Sequence, residues 1–234
     1  MIKIEKVDVF GFDSAIRGMR NPMNSWEKSD SYWTHIEDAE TLETAKYEFF
    51  VGDSDLRLMQ SLSKAGDDHG KFLRMINVTL DITAPLYWWK EFDTYKVGTV
   101  ANSCSTMHKI HVKEFVLNDF SHEHLIEDEF DNITDLYYDT DLDESWSAMD
   151  ILRQTVIMLN FYRKRYLETG NKRYWYQMIQ LLPSSYNQKR TVQLNYQVLK
   201  SMYFARKDHK LDEWREFCSW IETLPYFKEV CIDA

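Results

Sequence analysis

The chain has 234 residues, of which 44% are hydrophobic, and this is enough for one good core. Its formal net charge is −10, and no basic face is evident, so a nucleic acid polymer is not an expected partner. The three cysteines show no paired spacing, and the N-terminal segment is too short and too charged for a signal peptide, which predicts a reduced, cytoplasmic protein. No apolar run approaches the length of a membrane span, so no membrane segment is predicted.

The first predicted element is a strand over residues 2–10. Apolar residues alternate there with polar ones: Ile2, Ile4, Val7 and Val9. Residues 11–32 are rich in Gly, Asn, Ser and Pro, with a breaker at Asn21-Pro22, and they predict a loop with one helical turn.

An amphipathic helix is predicted over residues 53–64. Its apolar residues recur at intervals of three: Leu56, Met59, Leu62 and Ala65. Asp53 or Ser54 would cap this helix, and Gly66 would end it.

Residues 73–82 alternate again and predict a strand with one apolar face. Ala84-Pro85 ends that strand. Because proline is well tolerated in the first turn of a helix, the aromatic run over residues 86–95 is predicted to begin one.

The C-terminal half is predicted to be mostly helical. Residues 113–145 are acidic and indicate a short helix with an acidic loop. A long helix is expected over residues 146–168, capped within residues 141–145 and ended at Gly170-Asn171. Further helices are predicted over residues 174–182, 193–205 and 211–221. This order predicts the α+β class in a single domain, residues 1–234.

Histidines and local cations offer few candidate sites. His108 with His111, and His122 with His124, are near neighbours, but metal binding needs three or more converging ligands, so no metal site is predicted. A cationic group lies on or beside a predicted helix and consists of Lys200, Arg206, Lys207 and Lys210. It could be an anion site, or a solvated face that pairs with nearby aspartates.

The polar run over residues 99–108 (TVANSCSTMH) combines hydroxyl and amide side chains with Cys104. Hydroxyls and free backbone N–H groups at such a run could bind phosphate, although an ordinary capped turn would have the same composition. No His–Asp pattern accompanies Cys104 to support a nucleophile.

Several features between Asp53 and His108 occur in a specific order: a helix, His69, a strand, and Ala84-Pro85 before the aromatic run LYWWKEF. In this order the chain resembles the flavin-dependent thymidylate synthases. The family motif Arg-His-Arg-x-x-Ser-x-Asn-Glu-x-Ser-x-Arg-Tyr falls without gaps on residues 94–107 (TYKVGTVANSCSTM). Leu182-Pro183, Asn195 and Arg206 also fall at the family's spacings.

This resemblance implies an α+β fold with a central mixed or antiparallel sheet and a helical C-terminal half. It implies reductive methylation of dUMP to dTMP with FAD, NADPH and methylenetetrahydrofolate. It also implies a homotetramer with sites between subunits. The high aromatic content, 15%, could contribute side chains to such subunit interfaces. Family enzymes use no protein nucleophile, so no catalytic side chain is predicted.

The resemblance also implies the binding residues. The predicted cofactor-binding residues are His69, Thr94, Tyr95, Lys96, Asn102, Asn195 and Ser201. The predicted substrate-binding residues are Glu91, Cys104, Ser105, Thr106 and Arg206. Lys96, Arg206 and Arg190 would offer charge-assisted bonds to phosphate, with the Arg206 guanidinium in a wet cleft. Trp88 and Trp89 are expected in the core.

The chain departs from the family at several charged positions. Thr94-Tyr95-Lys96 replaces Arg-His-Arg, Glu91 replaces a glutamine, and Thr106 replaces an arginine. The arginine before Leu-Pro is Ile179 here. These changes leave open an alternative, a relative that binds FAD or a nucleotide but has a different pyrimidine-modifying activity or no turnover. A purely structural interaction protein is the third class.

Overall fold

The structure is a computed structural model that describes residues 2–36, 46–127 and 147–234. The strands are β1 (Lys3–Phe10), β2 (Tyr32–Ile36), β3 (Lys46–Phe50), β4 (Asn77–Pro85), β5 (Val100–Ser103) and β6 (Asn187–Asn195). The helices are α1 (Phe12–Arg20), α2 (Asp53–Lys64), α3 (Leu86–Phe92), α4 (Ala148–Thr169), α5 (Lys172–Leu181), α6 (Tyr196–Arg206) and α7 (Asp212–Ile221).

The strands form a four-stranded sheet in the order β1-β4-β6-β5 and a two-stranded antiparallel sheet of β2 and β3. The predicted α+β class with an antiparallel sheet is confirmed. The chain divides into two compact units, here called the sheet unit (residues 2–82, 92–102 and 190–234) and the helical unit (residues 83–91 and 103–189). That these units form one domain stays a prediction.

The core of the sheet unit forms around β4, α6 and α7. Apolar β4 side chains are fully buried at Val78, Leu80 and Ile82. The Thr191 hydroxyl on β6 donates to a carboxylate oxygen of Asp81 on β4 at 2.6 Å. The fully buried large side chains of α6 and α7 are Tyr196, Leu199, Met202, Trp214, Phe217 and Ile221. Burial of this kind contributes roughly 1.5–3 kcal/mol per large apolar side chain.

A buried ion pair joins α1 to α2. Arg20 Nε donates to Asp55 Oδ1 at 2.6 Å, and the two side chains are 4% and 0% exposed. Asp55 Oδ2 accepts hydrogen bonds from the hydroxyls of Ser29 and Ser31, both at 2.7 Å. Because the Asp55 carboxylate is paired with Arg20 through Oδ1 and hydrogen-bonded through Oδ2, the cost of burying its charge is offset. The bonds from Ser29 and Ser31 also hold the segment before β2 against α2.

In the helical unit, α4 packs against α5. Their shared core consists of Met149, Leu152, Leu159 and Met178 with Ile110, Phe115 and Phe120. Ser147 begins α4 with a capping box, because its side chain accepts from Asp150 N while the Asp150 side chain accepts from Ser147 N. Gly170 ends α4 in the left-handed region at φ 63°, as predicted. Trp88 and Trp89 are buried as expected.

Several predicted elements need correction. Residues 12–20 form a helix, not a loop, because Phe12, Ala15, Ile16 and Met19 give it a buried face despite its glycine. The predicted helix over 193–205 begins only at Tyr196, since the preceding residues form β6. Part of the polar run forms the short strand β5.

Helix α2 begins and ends at the predicted residues, but its cap is different. Gly52 is the N-cap, and as a glycine it has no side chain that could accept a capping hydrogen bond. The free N–H groups of Ser54 and Asp55 instead donate to the Asp30 carboxylate, at 2.8 and 3.1 Å. A side chain distant in sequence therefore supplies the first-turn acceptor.

The predicted cap of α4 within residues 141–145 lies outside the described residues, as does most of the acidic region. Within residues 2–36, 46–127 and 147–234, no helix combines the length and the apolarity that a membrane crossing requires.

Candidate functional site

A cavity of about 470 Å³ opens in the sheet unit. The residues that follow α3 form one wall, and the start of α6 forms the other. Its lining consists of Asp67, Arg74, Thr94, Tyr95, Lys96, Val97, Gly98, Asn195, Gln197, Val198 and Ser201. A volume of this size lies within the range of small-molecule sites.

Gly98 allows the two walls to approach closely. Its φ is +77°, and a Cβ there would lie 3.0 Å from Asn195 Nδ2 and 3.1 Å from Val198 Cγ2. A larger residue would carry both backbone strain and a contact tighter than ordinary packing. The turn over residues 94–98 can therefore lie directly against the start of α6.

Asn195 is the last residue of β6 and the N-cap of α6. Its side-chain oxygen accepts a hydrogen bond from Val198 N at 3.1 Å, which satisfies one of the free N–H groups of the first turn. The strand-to-helix junction is further fixed by Tyr196 N, which donates to the carbonyl of Ile76 at 3.0 Å. The side chains of Gln197 and Ser201 follow on the same helix and reach the cavity.

The charged and polar groups of the lining favour an anionic or hydrogen-bonding ligand. Arg74 and Lys96 contribute two cations against the single carboxylate of Asp67. Gln197 Nε2 donates to Asp67 Oδ1 at 3.0 Å, which occupies that carboxylate. Gln197 Oε1 is buried and has no hydrogen-bond partner among the described residues. A bound molecule with an N–H group would satisfy this oxygen.

Arg206 lies at the end of α6 and packs against two aromatic rings. Its Nε donates to the Tyr95 hydroxyl at 3.0 Å. Its guanidinium carbon lies 5.7 Å from the Tyr95 ring centroid and 5.0 Å from that of Trp214, which is fully buried. The sequence predicts a guanidinium in a wet cleft, but the structure places it half-buried in a cation–π arrangement.

The structure brings together five of the predicted cofactor residues in this one cavity: Thr94, Tyr95, Lys96, Asn195 and Ser201. The other two lie outside its lining. His69 is exposed and precedes a short 3₁₀-helix, Gly70–Arg74, while Asn102 is exposed on β5.

The remaining predicted substrate residues belong to the helical unit. Cys104 is exposed, and its backbone is fixed to β6, because Cys104 N donates to Lys189 O at 2.9 Å. The Ser105 hydroxyl accepts from His108 N at 2.8 Å, which is the capped turn that the sequence left open. Thr106 and Glu91 are half-buried.

Arg190 is engaged within the protein. It forms an ion pair with Asp93 at 2.7 Å, and only 14% of its side chain is exposed. This pairing makes Arg190 a weaker candidate for phosphate than Lys96, which is exposed.

Sequence reasoning missed three polar residues of the cavity: Asp67, Arg74 and Gln197. The sequence could have indicated Gln197, because this residue is two positions after Asn195, the N-cap of α6. Side chains at such positions lie close to the N-terminal end of the helix. Arg74 gave only the weak signal of a cation just before an apolar strand.

No cluster of three or more metal-ligating side chains occurs in the part of the chain that the structure describes. The lining of the candidate site consists mainly of hydrogen-bonding and charged groups.

The chain has the fold of the flavin-dependent thymidylate synthases. Thymidylate synthase X from Helicobacter pylori, solved with FAD and dUMP, matches with a TM-score of 0.64 and 16% identity over 100% of this chain and 98% of that one. A second structure of the Helicobacter pylori enzyme, complexed with FAD and dUMP, matches with the same TM-score and identity over 99% and 98%.

The UMP/dUMP methylase PolB from Streptomyces cacaoi, bound with 5-Br UMP, matches with a TM-score of 0.53 and 17% identity over 95% of this chain and 88% of that one. No protein-family model matches the sequence, and neither does any curated protein. At these identities, the likeness is one of fold.

Proposed function

We propose that this protein binds FAD and a uridine nucleotide and catalyses the flavin-dependent reductive methylation of dUMP to dTMP. Methylenetetrahydrofolate would donate the carbon unit and NADPH the reducing equivalents. One observation carries the proposal. Five residues from two segments about a hundred positions apart, predicted as cofactor contacts from sequence, line one cavity in a fold shared with enzymes solved with FAD and dUMP.

The charges and polar groups of the cavity support the proposal of an anionic cofactor that carries ring N–H groups. Lys96 and Arg74 could each form a charge-assisted bond to a phosphate oxygen. The partnerless Gln197 Oε1 could accept from a ring N–H, and Asn195 and Ser201 could supply further polar contacts. These groups are of the types that a flavin nucleotide requires.

When bound, the reduced flavin would supply the electrons that turn the transferred carbon unit into a methyl group. The residues of the chain would bind and orient. Lys96 would hold negative charge beside the turn, and the close approach at Gly98 would fix that turn against α6. Tyr95 and Trp214 would hold the Arg206 guanidinium in one orientation toward the nucleotide, because stacking and a hydrogen bond leave it little rotational freedom.

For the nucleotide, we infer a contact from Arg206, and the predicted contacts from Glu91, Cys104, Ser105 and Thr106 stay sequence predictions. The hydroxyls of Ser105 and Thr106 could each donate a hydrogen bond to a phosphate, whereas Cys104 N is already bonded to Lys189 O. A homotetramer with shared sites and a cytoplasmic location belong to the same proposal.

A second candidate is a different pyrimidine modification on the same fold. The loss of motif cations at Thr94 and Thr106 favours it, because those charges would contact anionic ligands. The structure of a UMP/dUMP methylase is among those that share this fold. Turnover with dUMP compared with UMP separates the two candidates.

The first test is a titration of cofactor-free protein with FAD, followed by flavin fluorescence. We expect saturable binding, weakened about tenfold or more by Lys96→Ala, since one charge-assisted bond contributes roughly 1.5–3 kcal/mol. Lys90→Ala is the matched control, because Lys90 is exposed and lies outside the cavity lining. Absence of a saturable signal up to about millimolar FAD would refute the proposal, and an equal effect of both variants would refute the assigned site.

A further inference from the structure

Two amide side chains, those of Asn195 and Gln197, line the candidate cavity at the start of α6. An amide carries donors at one end and an acceptor at the other, so its use in binding depends on which end faces the ligand. In both residues a neighbouring group decides this orientation, because that neighbour can only donate or can only accept.

The Asn195 amide is fixed by the backbone. Its Oδ1 accepts from Val198 N at 3.1 Å, and a backbone N–H can only donate. The other end of the amide, Nδ2, therefore lies on the side of the turn at Gly98, 3.0 Å from the position that a Cβ of that residue would take. In this orientation Asn195 offers a donor to the cavity.

The Gln197 amide is fixed by Asp67. Gln197 Nε2 donates to Asp67 Oδ1 at 3.0 Å. An ionised carboxylate can only accept, so the amide nitrogen must face Asp67 and the amide oxygen must face away from it. That oxygen, Oε1, is buried and has no hydrogen-bond partner among the residues that the structure describes. A buried acceptor without a partner is unfavourable, and an N–H group of a ligand would remove this cost.

The remaining charged groups narrow the class of ligand. Arg74 and Lys96 add two cationic donors, which suit a phosphate or the carbonyl oxygens of a ring. An imide edge, with one N–H between two carbonyl groups, matches an acceptor flanked by donors on either side. An edge with an amino group beside a bare ring nitrogen carries a single acceptor and would use fewer of these donors.

We propose that Asp67 positions the Gln197 amide so that the cavity recognises the imide edge of a ring. Gln197 Oε1 accepts from the imide N–H, and Asn195 Nδ2 donates to one of the two carbonyl oxygens. The inference rests on the proposed function, whose two ligands both carry such an edge, on the flavin ring of FAD and on the uracil ring of dUMP. Because the predicted cofactor residues line this cavity, the flavin is the expected source.

The test compares each ligand with its N3-methyl derivative, which keeps the ring but lacks the imide N–H. Cofactor-free protein is titrated with FAD and N3-methyl-FAD by flavin fluorescence, and with dUMP and N3-methyl-dUMP by calorimetry. We expect FAD to bind about tenfold or more tightly than its derivative, because the derivative leaves Gln197 Oε1 without a donor.

Two variants test the two residues separately. Gln197→Met should reduce the ratio of the two flavin affinities to about one, because it removes the acceptor. Asp67→Asn should reduce the ratio about threefold, since an asparagine can donate as well as accept and no longer fixes the amide. Gln180→Met and Asp68→Asn are the matched controls, because both residues are exposed and lie outside the cavity lining.

Saturable binding of FAD and N3-methyl-FAD with equal affinity would overturn this inference and leave the proposed function standing. So would equal effects of Gln197→Met and Gln180→Met on the ratio. An unchanged ratio in Asp67→Asn would show that Asp67 does not position the amide.

The nucleotide arm separates the two sources of the imide. If Gln197→Met removes a preference for dUMP over its derivative but leaves that for FAD, the recognition stands and its source is uracil. No saturable binding of either FAD or dUMP would overturn both this inference and the proposed function. If Gln197→Met fails to fold, Asp67→Asn decides, because Asp67 is exposed.

Discussion

Replacement of Arg206 by alanine would remove three contacts at once. These are the hydrogen bond to the Tyr95 hydroxyl at 3.0 Å and the two ring contacts, at 5.7 and 5.0 Å. A hydrogen bond from a charged donor contributes roughly 1.5–3 kcal/mol, and each cation–π contact about 0.5–1 kcal/mol where water remains nearby. Because the side chain is half-buried, we expect the lower end of this sum, about 2.5 kcal/mol of unfolding free energy.

The same change should weaken dUMP binding about thirtyfold, which corresponds to about 2 kcal/mol. Tyr95→Phe separates the two effects. It keeps the ring but removes the hydroxyl, so we expect about 1 kcal/mol of lost stability and about fivefold weaker dUMP binding through lost orientation. Arg215→Ala is the matched control, because Arg215 is exposed on α7, where it pairs with Asp212 and donates to the carbonyl oxygens of His209 and Lys210.

Urea unfolding measures stability, and isothermal titration with dUMP measures affinity. If Arg206→Ala loses stability but binds dUMP as the wild type does, then Arg206 is a structural residue and the nucleotide binds elsewhere. If neither quantity changes relative to Arg215→Ala, the aromatic stacking contributes nothing and the reasoning fails.

Two further outcomes are expected. Gly98→Ala should weaken FAD binding and lower the free energy of unfolding by roughly 1–2 kcal/mol. Gly170 is also in the left-handed region but has nothing within 4 Å of its Cβ position, so Gly170→Ala should carry the backbone strain and keep the FAD affinity of the wild type. Equal FAD affinities of the two variants would refute the close-approach argument. Light scattering should give a multiple of 28.1 kDa, and a monomer at micromolar concentration would contradict the proposed shared sites.

The elements that sequence predicted well are those whose signals are local. Helix α2 has a three-residue apolar period, and α4 ends at a glycine in the left-handed region. Both signals act within one or two turns, so no distant partner is needed to interpret them. The acceptor for the first turn of α2 could not be found in this way, because Asp30 lies more than twenty residues earlier.

The missed elements depend on tertiary contacts. Strand β6 (NQKRTVQLN) contains charged residues that argue against a strand, yet those charges are paired, as Arg190 is with Asp93. Helix α1 has a clear apolar face, but its flanking Gly11 and Asn21-Pro22 favoured a loop.

The residues of the candidate site show the same contrast between local signals and tertiary contacts. The resemblance located the turn at residues 94–98 and the start of α6, because both lie at fixed spacings from recognisable steps in the chain. Arg74 and Gln197 were missed, because their place in the cavity arises from the pairing of β4 with β6 across more than a hundred residues.

The buried pair of Arg20 and Asp55 makes stability depend on pH in a defined window. Burial alone would raise the pKa of Asp55, but hydrogen bonds from Ser31 and Ser29, with the charge of Arg20, outweigh it and hold that pKa below its ordinary value. A carboxylate with a lowered folded pKa stabilises the protein above its unfolded pKa, about 3.9, and this contribution is lost as pH falls below that value.

Asp55→Asn should therefore cost about 3–5 kcal/mol near neutral pH, because it leaves Arg20 buried without its counter-charge. The difference in unfolding free energy between wild type and Asp55→Asn should shrink as pH falls from 5 toward 3, and urea titrations across this range measure it. Asp8→Asn, at an exposed position on β1, should cost little throughout. A difference that stayed constant with pH would show that Asp55 has the same pKa in the folded and unfolded states. A small cost near neutrality would show that the pair does not hold α1 against α2.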